Sequence, residues 1–135
     1  MGLKFRLKPG ERLAINGAVV RNPADRVLEI EVMNSAALLH EKDVMQPEQA
    51  DNFMRRIYLY VQLMLLEPEN RLAHGEAFEK MHALARHEAE MKSDGPSLAL
   101  YEAVADLVRR EDYFPALRQI QAVIGRPGFS RPPEN

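Results

Sequence analysis

Glu79 and His82 form a Glu-x-x-His pair in a stretch with helical spacing, which sets a carboxylate and an imidazole on one helix face. Carboxylate-bridged di-metal bundles need two such pairs and a glutamate from each of two further helices, and no second pair is present. His87-Glu88 lacks the second histidine that a zinc-protease helix requires. No metal or cofactor is therefore expected, and His74, His82 and His87 read as polar residues on a charged helix surface. With no cysteine, the chain has no thiolate ligand or thiol nucleophile. Ser93 and Ser97 flank a predicted helix start, where capping is the usual role, and no serine sits in a Gly-x-Ser-x-Gly elbow. The glycines are too scattered to cradle phosphates in a loop. Each recognisable catalytic pattern lacks a named residue, so the expectation is a binding protein and not an enzyme.

The basic residues are more informative. Residues 1–28 hold six Lys/Arg (Lys4, Arg6, Lys8, Arg12, Arg21 and Arg26) against two acids, Glu11 and Asp25, in a chain of net charge −2. Lys4, Arg6 and Lys8 alternate with Leu3, Phe5 and Leu7, so they share one face of a strand. Such a face could track a phosphate backbone. It could equally be a solvated surface whose charges discourage strand-edge pairing. Interleaved aromatics for base stacking are missing from it, because Phe5 falls on the apolar side.

The elements that must position these residues follow from periodicity and punctuation. Pro9-Gly10, Asn16-Gly17 and Asn22-Pro23-Ala24-Asp25 separate four short strand candidates, the last over Val27–Val32. From Pro47 the spacing becomes helical. Phe53, Met54, Ile57, Val61, Met64 and Leu65 recur at three and four residues, and the helix is predicted to run to Glu67-Pro68. A second helix is predicted over Asn70–Met91 with Leu72, Phe78, Met81 and Leu84 inside, and Gly75 weakens its first turns. A third follows Ser93-Asp94-Gly95-Pro96 and carries Leu98, Tyr101, Ala105 and Val108. A fourth starts at Asp112, holds Phe114, Leu117, Ile120 and Ile124, and ends at Gly125. The fold class is α+β: a small N-terminal antiparallel β-sheet or open barrel over 1–46, a four-helix region over 47–125, and a flexible tail over 126–135.

The first helix is apolar nearly all round, so a second subunit competes with the intramolecular core to cover it. Met54, Tyr58, Tyr60 and Met64 are the candidate partner-binding residues, methionine for adaptability and tyrosine as an amphipathic anchor. A homo-oligomer, such as a dimer, is the expected state. The longest nearly apolar run, Ile57–Leu66, is too short to span a bilayer, and no apolar stretch follows Met1, so a cytoplasmic location is expected.

Leu7-Lys8-Pro9-Gly10-Glu11-Arg12, then Ile15-Asn16-Gly17-Ala18-Val19 and Arg21-Asn22, resemble the opening of the FlbT family of flagellum biosynthesis regulators. Leu39-His40-Glu41-Lys42-Asp43-Val44-Met45 and the helix from Arg56-Ile57-Tyr58 through Gln62-Leu63-Met64 to Glu67-Pro68-Glu69-Asn70 continue the resemblance in order, over about residues 1–125. It implies a post-transcriptional regulator that associates with the 5′ untranslated leader of flagellin mRNA and affects its translation and decay, beside a small companion of the flaF type. The alternative is an adaptor or chaperone in flagellum assembly that acts through a flaF-type protein or flagellin. The resemblance brings no residue-level RNA site with it. The six basic residues of the first segment are the candidate RNA contacts.

Overall fold

The computed structural model describes residues 3–16, 18–33 and 38–128. Among the described residues its N-terminal part holds five strands: β1 (Leu3–Leu7), β2 (Arg12–Ile15), β3 (Ala18–Arg21), β4 (Leu28–Val32) and β5 (Leu38–His40). They form two antiparallel sheets, a β1–β4 ribbon and a three-stranded sheet in the order β3-β2-β5. The sheet-or-barrel alternative resolves to two open sheets. The β2–β3 hairpin turns at Asn16, whose φ of 49° is the left-handed conformation that asparagine tolerates. Gly17, its expected turn partner, lies outside the described residues. Buried Asn22 then clamps the hairpin to the ribbon by donating Nδ2–H to the carbonyls of Leu7 (2.9 Å) and Arg26 (2.8 Å).

The helical half holds α1 (Phe53–Leu66), α2 (Arg71–Met91), α3 (Gly95–Arg109) and α4 (Tyr113–Ile124). The first helix begins later than Pro47 predicts. Pro47–Gln49 is a separate 3-10 turn closed by a reciprocal Gln46–Gln49 capping box, and α1 starts only after Asn52, which accepts from the Arg55 N–H at 2.8 Å. Asp94 caps α3 by accepting from Ser97. Gly125, at φ 80°, ends α4 as expected.

The core sits around α1, which packs on α2 and α4. Ile57, Tyr58, Val61 and Met64 meet Phe78, Ala85, Val104, Leu117 and Ile120 there. Two expected interior residues of α2 are outside it: Leu72 is 81% exposed and Leu84 53%. The buried stripe of α2 runs Phe78, His82, Ala85, Ala89, and a residue six positions from Phe78 lies about 120° round the helix. His82 is correspondingly not a surface residue. Its ring stacks on Phe78 at 5.7 Å between centroids and its Nε2 lies 3.0 Å from the Tyr101 carbonyl oxygen. Glu79, its sequence partner in the Glu-x-x-His pair, is exposed.

At the head of the expected tail, residues 126–128 are tied down. Gly128 N–H donates to the Lys42 carbonyl (2.8 Å) and Gln49 donates to that of Pro127 (3.0 Å). Residues 129–135 lie outside the described ones.

Candidate nucleic-acid interface

The strand-face cations come first. In the β1–β4 register Lys4 stands opposite Glu31 and Arg6 opposite Glu29, and Lys4 Nζ lies 4.0 Å from a Glu29 oxygen. Cross-strand partners share a sheet face. The ribbon's outer face therefore carries two cations and two acids in opposed rows, while Phe5–Ile30 and Leu7–Leu28 line the other face. Arg12 reaches inward to the largely buried Glu41 at 3.1 Å. Arg21 is exposed opposite Arg12 at the end of the hairpin, and Arg26 is exposed in the turn before β4.

A different arrangement surrounds the segment after β5, where Glu41–Asp43 forms a 3-10 turn. Asp43 is buried yet charged-residue-rich in its contacts. Arg126 grips its carboxylate with two parallel hydrogen bonds, Nε–Oδ1 at 2.7 Å and Nη2–Oδ2 at 2.9 Å. Gln121 donates to Asp43 Oδ1 (3.0 Å) and to the Tyr58 hydroxyl oxygen (2.8 Å), and Tyr58 donates its proton to the Asp43 carbonyl. Arg118 hydrogen-bonds Gln121 at 2.6 Å and stands 3.6 Å from Asp43. Two residues beyond Asp43, the Met45 backbone makes a reciprocal pair with Gln62, which accepts at 2.7 Å and donates at 3.0 Å. Burial pushes the Tyr58 hydroxyl's pKa up, so it stays a donor, and the Asp43 hydrogen bonds push the Arg126 guanidinium's up, so it stays charged. This network fastens the β half to α1 and α4.

Two clefts open beside it. The larger, about 520 Å³, is lined by Phe5, Leu38, Leu65 and Phe114 with His40, Asp43, Arg118 and Arg126. The smaller, about 330 Å³, is lined by Arg6, Lys8, Glu11, Val27, His40 and Lys42. His40 is a wall of both. Among the described lining residues the acids are Glu11 and Asp43, and both are buried and engaged. Glu11 accepts from the Lys8 N–H (2.8 Å) and faces His40 (3.4 Å) and Lys42 (3.7 Å). Burial opposes its charge, but the Lys8 hydrogen bond and the charges of His40 and Lys42 outweigh that and hold its carboxyl below the usual range. Arg6, Lys8, Lys42, Arg118 and Arg126 remain as five cations round two clefts.

Of the six expected RNA contacts, Arg6 and Lys8 line these clefts, while Lys4, Arg12, Arg21 and Arg26 do not. Sequence reasoning missed Lys42, Arg118 and Arg126, which reach the site from segments distant in the chain. Of the four partner-binding candidates, Tyr58 and Met64 are buried within this chain, and Met54 and Tyr60 are half-buried against its core.

Fold and site together define a small α+β protein with a cationic double cleft at the seam of its two halves. Among the described residues no helix is long and apolar enough to cross a membrane. The family described as flagellar protein FlbT matches residues 3–126, and the chain belongs to that family. A probable flagellum biosynthesis repressor protein FlbT of Brucella abortus (strain S19) is 37% identical over 120 residues, covering 89% of this chain and 76% of that protein. One of Brucella ovis is 38% identical with the same coverage, and a second FlbT of Bradyrhizobium diazoefficiens is 36% identical over 90% of this chain and 85% of its own. No solved structure matches.

Proposed function

We propose that this protein is a cytoplasmic, non-enzymatic repressor of flagellum biosynthesis that binds the 5′ untranslated leader of flagellin mRNA and affects its translation and decay. The regulatory role follows the names of its relatives. The observation that supports RNA as ligand is the double cleft, in which five cations surround acids that are buried and paired. Even with Arg6 matched by Glu29 on the ribbon, phosphate groups entering it meet more cations than acids, a balance that Lys4 opposite Glu31 does not offer. Fluorescence anisotropy with a labelled flagellin leader RNA at two salt concentrations tests this. Affinity should fall steeply with salt, by a log–log slope of about −0.7 for each phosphate neutralised on a single strand. Binding that is absent at low salt would overturn the proposal.

The adaptor reading has one feature in its favour. An open groove of about 780 Å³ beside α2 is lined by Met64, Leu72, Val108 and Tyr113 among charged residues, and Leu72 projects into solvent there. A flaF-type protein or flagellin that co-elutes with the chain, and is lost on Leu72→Glu, would favour it.

A further inference from the structure

We infer that the larger cleft takes an unpaired nucleotide, with Phe114 and Arg118 as the platform on which its base stacks. This rests on the RNA-binding reading and specifies what form of RNA the site accepts.

The platform is assembled in the protein itself. The Arg118 guanidinium lies 4.7 Å from the centroid of the Phe114 ring. A guanidinium over an aromatic ring presents a flat, cationic surface, and RNA bases stack on both kinds of plane. Phe114 is 39% exposed, although the periodicity of α4 places it among the core positions. Its neighbours in the cleft are the side chains of Phe5, Leu38 and Leu65, which offer apolar walls to a base. Arg126 charges the same cleft, where Asp43 holds its guanidinium in a fixed orientation. The pocket thus joins an apolar, aromatic interior to a cationic lining, as a base attached to a phosphodiester requires.

The recess between sheet and helices suits unpaired RNA better than a duplex. About 520 Å³ is ample for one base and falls within the range of small-molecule sites. A base inside an A-form duplex is covered on both faces by its neighbours, and its backbone keeps it from entering a recess between a sheet and a helix. Single strands, loops and bulges present bases that can leave the stack. The smaller cleft, sharing His40 with the larger one, then receives flanking phosphates at Arg6, Lys8 and Lys42.

The test uses the full chain with a short unstructured oligoribonucleotide carrying 2-aminopurine, and a duplex of the same length. The single strand should bind more tightly, and 2-aminopurine fluorescence should be quenched on binding. Phe114→Leu keeps an apolar side chain but removes the aromatic face, and should weaken single-strand binding about tenfold and abolish quenching. Phe114→Tyr should restore both. Unchanged thermal unfolding of the Leu variant separates lost stacking from lost fold. Equal affinity for duplex and single strand, or a Phe114→Leu variant that binds and quenches like the parent, overturns this inference and leaves RNA binding standing. A chain that binds neither RNA overturns both.

Discussion

The β1–β4 ribbon and the seam around Asp43 both gather charge, but they dispose of it in opposite ways. On the ribbon, Lys4 and Arg6 face Glu31 and Glu29 across one solvated surface, so the field cancels at the place where it would be read. At the seam, the acids Glu11 and Asp43 are drawn inward and the cations around them point into clefts. A row of lysine and arginine in sequence is therefore not yet a basic surface. What counts is whether the acids are on the same face or beneath it.

The sharpest way to break this contrast is to remove the buried acid. Asp43→Ala should destabilise the protein by about 3 kcal/mol in urea unfolding, because Arg126 and Gln121 lose their shared acceptor. Gln62→Ala should cost about 2 kcal/mol, since both Met45 backbone groups are left buried without their partner. The third effect is one of pH. Glu11 titrates below its ordinary value of 4.5, so its contribution to stability is complete above that pH and is lost as pH falls through the lowered value. The stability gap between the parent and Glu11→Gln should thus be widest near neutrality and close in acid. A gap that widened on acidification would contradict the ion-pair description of the smaller cleft. On the ribbon, Lys4→Ala should change stability by less than about 0.5 kcal/mol, as exposed pairs usually do.

A modest stabilising change is expected away from both regions. A Cβ built on Gly75 meets Met64 Sδ at an ordinary 3.8 Å, and Gly75 sits within α2. Gly75→Ala should therefore stabilise by about 0.5–1 kcal/mol, measured by thermal or urea unfolding.

Much of the fold was legible because it rests on local signals. Period-two alternation marked β1, the turn residues separated the early strands, and Gly125 ended α4. β5 went unrecognised, since three residues are too short for periodicity to register. Leu72 and Leu84 were misplaced because hydrophobicity alone does not say which stripe of α2 faces inward, and small Ala85 and Ala89 permit the close approach instead. Gln62 is the polar residue within the nearly apolar run Ile57–Leu66, and no periodicity reveals that it is the clamp on Met45. The site was legible only in fragments. Arg6 and Lys8 were named, but Asp43 and Arg126 stand 83 residues apart, and no local pattern announces such a pair.

The central claim is that RNA is met at the clefts and not on the ribbon, and two charge-matched double variants test it most directly. Lys8→Ala with Lys42→Ala removes two cleft cations, and Lys4→Ala with Arg26→Ala removes two cations outside the clefts. With flagellin leader RNA at one fixed salt concentration, the cleft pair should lose about tenfold in affinity or more, and the other pair no more than about twofold. Equal losses, or a larger loss for Lys4 and Arg26, would contradict it.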